Sequence, residues 1–330
     1  MTQTTYLIVE RQPQPPENLP EILQELARKH GLDIYQARQR MIGRGLSLLS
    51  KGTTETLQKI SPLLAETGFQ HWLVKPSKPE FIPQRIRALE IQNEQIIFSC
   101  HKGHVSFPKG ATILAVFAEM SGALAEKSVT QLLSNHAYRG RDNVRHLEDH
   151  KILKTILQSE PILDLYLLDE QQKVANAVRI FPGKFDPKGL GERATVSSTQ
   201  NLDRILKLAK EYAGDFSLIT DFGLVNLPGC TLRRENLGDP ETERQNQMSL
   251  ARYGWLLADL KRVGPVISQN SENNDFDTAD IVTMALHMQN PALATSGQAD
   301  EIVPLAKEIA QEIDAATNDT PLSTAPYPNT

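Results

Sequence analysis

Leu19-Pro-Glu-Ile22-Leu23-Gln-Glu-Leu26-Ala-Arg-Lys-His30-Gly31-Leu32-Asp33-Ile34-Tyr35-Gln36-Ala37-Arg38 is the stretch on which the reading of the fold turns. Leu19, Ile22, Leu23 and Leu26 recur at helical spacing, and Gly31 stops the helix. A second helix follows through Ile34, Ala37, Met41 and Ile42 and ends at Gly43 and Gly45. Upstream, Tyr6-Leu-Ile-Val9 is a short β-type run, set off by a loop holding Pro13, Pro15 and Pro16. Downstream, Leu46 to Leu49 reads as a strand. Thr54 to Thr67 reads as a third helix with Leu57, Ile60 and Leu64 as its apolar stripe, and Gly68 takes the C′ position. Phe69 to Val74 closes the unit as a strand, which gives the order β-α-α-β-α-β over residues 1–76.

That order, with Gly31-Leu-Asp-Ile-Tyr-Gln-Ala-Arg38 at the helix–helix junction, resembles the C-terminal domain of ribosomal protein L7/L12, a fold shared with the ClpS adaptors. Thr67-Gly68 is similar to the family's Ala-Gly turn before the last strand. The resemblance implies a small binding module. The family's translation-factor surface uses basic residues on its first two helices. Gln24, Ala27 and Tyr35 replace three of them here, and only Arg38 keeps its charge, so that partner is not carried over.

The expected fold class of the whole chain is α+β. Pro76, Pro79 and Pro83 mark residues 77–85 as a semi-rigid spacer. Residues 86–230 read as a central α+β domain with a substantial antiparallel sheet. Within it, Ile86 to Ile91, Gln95 to Cys100, His104 to Phe107, Thr112 to Phe117, Ile162 to Leu168, Val174 to Phe181 and Leu218 to Leu224 are strand candidates. Residues 129–133 and 151–157 look helical, and Ser197-Ser-Thr-Gln200 resembles a capping box opening a helix to Tyr212. Residues 231–316 form a helical region with one long helix, Glu241 to Arg262, and shorter candidates at 279–288 and 301–316. Residues 317–330 are Thr- and Pro-rich and read as a disordered tail.

The 330 residues carry 35 Lys and Arg against 40 Asp and Glu, a formal charge of −5. The charge is unevenly spread. Residues 263–330 hold one basic side chain, Lys307, against ten acidic ones, leaving 34 basic and 30 acidic over residues 1–262. An anionic ligand for the folded part therefore stays open, while a dedicated nucleic-acid binder would need a larger excess of Lys and Arg. Two cysteines cannot build a disulfide framework, and the most apolar continuous run, Ala111 to Ala118, is too short for a bilayer. The expectation is a soluble cytoplasmic protein with no membrane partner.

Each motif suggestive of chemistry lacks its required context. Asp221-Phe222-Gly223 looks like a kinase metal-binding segment, but no catalytic loop, phosphate loop or strand lysine stands at workable spacing. Gly189-Leu-Gly-Glu-Arg-Ala194 matches a dinucleotide pattern but has neither a strand before it nor a helix after it. Cys100, His101 and His104 have zinc-like chemistry. If Lys102-Gly103 is a two-residue hairpin turn, however, Phe98, Cys100, Val105 and Phe107 share one face while His101 and His104 lie on the other. That leaves the two histidines as weak metal candidates. Cys230 has no neighbour in sequence that would activate it.

Tyr138, Arg139, Arg141 and Arg145 make a basic, aromatic stretch of the kind used at interfaces, and they are the candidate binding residues. Together these features point to a non-enzymatic protein-interaction, scaffold or regulatory protein with a protein partner and no cofactor. The alternative is a small-molecule enzyme or ligand-binding regulator with its site in the central domain. A pocket converging around Arg139, Asp164, Asp186 or Asp221 would distinguish it.

Overall fold

Three strands of the N-terminal region form an antiparallel sheet in the order β2-β1-β3, with β1 (Thr5–Glu10) between β2 (Leu46–Gly52) and β3 (His71–Val74). The computed structural model describes residues 4–122 and 161–266. The helical stretches expected at 129–133, 151–157, 279–288 and 301–316, and the tail at 317–330, lie outside these residues. Alternation along β1 sends Leu7 and Val9 to one face. There they pack with Leu19, Ile22, Leu23 and Leu26 of α1 (Leu19–His30) and Ala37 and Met41 of α2 (Ile34–Met41). Gly31 ends α1 in the left-handed region at φ 67°, and the Asp33 carboxylate accepts the Gln36 amide at 2.8 Å to start α2.

The expected third helix is broken in two, α3 (Thr54–Gln58) and α4 (Ser61–Glu66). Pro62 explains the break. It has no N–H to donate, and its ring crowds the carbonyl four residues back, that of Gln58, where α3 ends. Leu57, Ile60 and Leu64 stay buried on the same core despite the break.

The fold is α+β. A second, seven-stranded sheet contains β4 (Gln84–Gln92), β5 (Gln95–Cys100), β6 (Gly103–Pro108), β7 (Ala111–Glu119), β8 (Pro161–Leu168), β9 (Val174–Ile180) and β10 (Ala213–Ile219). Their order is β10-β7-β8-β9-β4-β5-β6. The β10–β7 and β9–β4 pairs are parallel and the other four antiparallel. The strand expected through Leu224 ends at Ile219, and the chain then makes a 3-10 turn at Phe222–Leu224.

Helix α5 (Ser198–Tyr212) covers one face of this sheet. Its Ser197 hydroxyl accepts the Gln200 amide, as the capping pattern predicts. It buries Leu202, Ile205 and Leu208 against strands β4 to β9, a contribution of about 1.5–3 kcal/mol for each side chain. Helix α6 (Pro240–Val263) covers the opposite face of β7 and β8, and β7 is accordingly buried without alternation from Ile113 to Glu119.

The N-terminal sheet joins this second core. Ile8, Leu46, Trp72 and Val74 pack in one cluster with Leu114 and Val116 of β7 and with Leu250, Tyr253 and Leu256 of α6. Its edges are closed by main chain: the Leu48 amide donates to Asn226 O at 3.0 Å, and the Val266 amide to His71 O at 2.8 Å. The segment 77–85, expected as a spacer, is docked on α6. Asp259 accepts from the Ser77 amide at 2.6 Å and its hydroxyl at 2.9 Å, and Trp255 Nε1 donates to Phe81 O at 3.2 Å. The Phe81 and Trp255 rings meet edge to face at 5.2 Å. No helix among the described residues is long and apolar enough to cross a membrane.

Candidate functional site

A break in strand alternation builds the most suggestive surface among the described residues. In the β4–β5 ladder Ile86 faces Cys100 but Ala88 faces Ser99, so Arg87 is an extra residue, a β-bulge. The bulge resets the pleat, and Ile86 and Leu89, three apart, both reach the core under α5. Arg85 and Arg87 flank Ile86 on the exposed side.

The bulge also frees the Arg87 carbonyl from the ladder. The Asp186 amide donates to it at 2.7 Å, which ties the loop leaving β9 against β4. Within that loop the Lys184 amide donates back to Phe181 O at 3.2 Å. Lys184 and Arg85 consequently both lie over the Phe181 ring, at 5.5 and 5.3 Å from its centroid. His101, at the tip of the β5–β6 hairpin, completes the arrangement. A guanidinium can only donate, so the 3.1 Å contact from Arg87 makes His101 Nδ1 the acceptor. Arg85, Arg87, His101 and Lys184 together line a single concavity. Among the described residues, none of these three cations forms an ion pair with a carboxylate. Lys109, Arg193 and Lys261, by contrast, are neutralised by Glu94, Glu211 and Asp215.

The hairpin differs from its expected register. His101 and Lys102 form the turn, so Cys100 pairs with Gly103, Ser99 with His104, Phe98 with Val105 and Ile96 with Phe107. A shift of two residues leaves every side chain on its predicted face. Phe98 and Phe107 accordingly meet edge to face in the core at 5.2 Å. The two histidines are nonetheless separated. His104 Nδ1 lies 3.2 Å from Ser99 Oγ, while His101 serves Arg87. No group of three or more His, Cys, Asp or Glu side chains able to hold a metal occurs among the described residues. The candidate binding residues Tyr138, Arg139, Arg141 and Arg145 lie outside the described residues.

The other suspected groups are held by structural partners. Asp164 forms a buried, two-pronged ion pair with Arg179, at 2.6 and 2.5 Å, and also accepts from the Tyr166 hydroxyl at 3.2 Å. The Asp186 carboxylate accepts the Lys188 amide at 3.0 Å. Asp221 takes the Tyr253 hydroxyl at 2.5 Å, and desolvation raises its pKa above the ordinary carboxylate value. The Asp-Phe-Gly segment is thus a packed turn with Phe222 and Gly223 buried. Burial pushes the Cys230 thiol up to about 12 and raises Cys100 as well, the reverse of an activated nucleophile. The Gly-x-Gly segment is a 3-10 turn packed on β4: a Cβ on Gly189 would lie 1.5 Å from Leu89 O.

One hydroxyl–imidazole pair escaped the sequence reading. His71 is fully buried, and its Nδ1 lies 2.9 Å from Phe69 O, which can only accept. Nδ1 therefore carries the proton, and Nε2 accepts from Ser61 Oγ at 2.7 Å. The pair satisfies both nitrogens of a buried ring, and burial holds its pKa below the usual histidine value.

No family model matches the chain, and neither a curated protein nor a solved structure matches it.

Proposed function

We propose that this chain is a non-enzymatic protein-interaction or regulatory protein that holds an acidic segment of a protein partner at the Arg85–Arg87–His101–Lys184 concavity. The carrying observation is the convergence on one bulge-built pocket of three cations that no carboxylate among the described residues neutralises. Lys29, Lys109, Arg193, Lys207 and Lys261 each pair with a carboxylate instead. Cations left without one create a local positive potential that steers and retains an anionic partner. The small positive excess over residues 1–262 acts in the same direction. An interaction role also accords with the β-α-α-β start of the chain and its likeness to the L7/L12 module. Asp164, Asp221 and Cys230, the groups an enzyme reading would recruit, are engaged in ion pairing, hydrogen bonding or burial.

Fluorescence anisotropy of the full chain with a labelled glutamate-rich peptide tests the reading. Binding is expected at low salt, weakening as salt is raised, and lost on the double charge reversal Arg85→Glu with Arg87→Glu. An affinity equal in the reversed variant and the wild type would remove this pocket from consideration.

A further inference from the structure

We infer that the group this pocket accepts is a phosphoryl dianion, carried by a side chain of the partner. The inference rests on the pocket being the anion-recognition face proposed above and specifies its ligand.

Shape and charge count both favour it. Arg85 and Arg87 come from β4, His101 from the β5–β6 turn and Lys184 from the loop after β9, so three separate segments deliver their polar groups to one concavity rather than along a single strand. An extended acidic peptide advances about 3.3 Å per residue and alternates its side chains, so it presents separate single charges along a line. A phosphate monoester places about −1.5 to −2 charges and three acceptor oxygens on one centre. Two guanidinium groups and one ammonium can meet such a group with several charge-assisted hydrogen bonds, whereas a lone carboxylate leaves most of their charge uncompensated.

The pocket is also preorganised without being neutralised. Arg85 and Lys184 are held by the Phe181 ring rather than by a carboxylate, and Arg87 by an imidazole nitrogen. The backbone beneath them is fixed by the bulge and by the Asp186-to-Arg87 hydrogen bond. Each cation is therefore positioned by a partner that takes none of its charge, which lowers the ordering cost when an anion arrives.

The test uses the full chain and three probes: a labelled Gly/Ser peptide carrying one phosphoserine, the same peptide with glutamate in its place, and inorganic phosphate as competitor. The phosphopeptide is expected to bind at least about tenfold more tightly than the glutamate peptide, a difference of about 1.4 kcal/mol. Arg87→Gln and Lys184→Gln should each abolish that preference. Lys261→Gln, at a lysine already paired with Asp215, should leave it intact. Arg87 and Lys184 are exposed and Lys261 is half-buried, and an unchanged urea midpoint confirms that the variants fold. Displacement by inorganic phosphate only at concentrations far above that of the phosphopeptide assigns the source to the partner side chain. Displacement at comparable concentrations keeps the phosphoryl chemistry but overturns the assignment to a partner side chain. Equal affinity for the two peptides overturns the phosphoryl assignment and leaves acidic recognition standing. Binding of neither peptide overturns both.

Discussion

The main-chain amide of Asp186 donates to the carbonyl of Arg87 at 2.7 Å, joining the loop after β9 to the bulge of β4 across 99 residues of sequence. One hydrogen bond thus connects the two segments that bring Lys184 and Arg85 over the same ring.

Asp186→Pro compared with Asp186→Ala isolates that bond. Asp186 sits at φ −80°, which proline accepts, so the proline variant loses the N–H together with the carboxylate cap to Lys188. Asp186→Ala keeps the N–H and loses only the cap, so it should preserve affinity. The proline variant is expected to fold but to be less stable than the alanine variant by about 1 kcal/mol, with weaker binding of the glutamate-rich peptide. Chemical denaturation and anisotropy on the two variants separate the effects.

Asp164 and Arg179 are both enclosed between the sheet and α6. Asp164→Ala leaves a buried guanidinium unpaired and should lower unfolding stability by about 3–5 kcal/mol. Removing both charges, as Asp164→Leu with Arg179→Met, should recover most of that loss, because the desolvation of two ions disappears with their attraction. If the double variant were as unstable as Asp164→Ala in urea melts, the ion-pair account would be wrong.

The neutral His71 predicts a pH dependence of known sign. Burial lowers its pKa in the folded state, so on acidification the unfolded chain takes up this proton first, near the ordinary value of about 6.5. The contribution of His71 to stability should be intact above that pH and decline as pH falls toward the folded-state pKa. His71→Gln should flatten this part of the stability–pH curve. At neutral pH Ser61→Ala strands the Nε2 lone pair and should cost about 1–3 kcal/mol.

Gly189 is required for packing. Gly189→Ala drives a methyl group into the Leu89 carbonyl and should destabilise by about 1–3 kcal/mol or more, measurable as a fall in the denaturation midpoint.

Much of the local structure was legible because it depends on short-range periodicity and capping. The stripe Leu19, Ile22, Leu23 and Leu26, the stop at Gly31 and the Ser197 cap all follow from neighbours within a few residues. The hairpin faces survived an incorrect turn because faces depend on parity alone, and an even shift preserves it. Pro62 was a visible signal that the helix from Thr54 would break, and the continuity of its apolar stripe masked it.

The candidate pocket was only faintly signalled. Strict alternation from Ile86 would place Ala88 and Glu90 inward, yet the apolar residues are Ile86, Ala88, Leu89 and Ile91, and that slip is the mark of a bulge. Nothing local announced that Lys184 would arrive beside Arg85 and Arg87. The sequence by itself determined the α+β class, the inward faces and, among the described residues, most of the helices and strands, because each is set by periodicity over a few residues. Only the tertiary structure decided the docking of residues 77–85 on α6 and the meeting of Arg85, Arg87, His101 and Lys184. Those depend on sheet order and on single hydrogen bonds between distant segments, which no local pattern encodes.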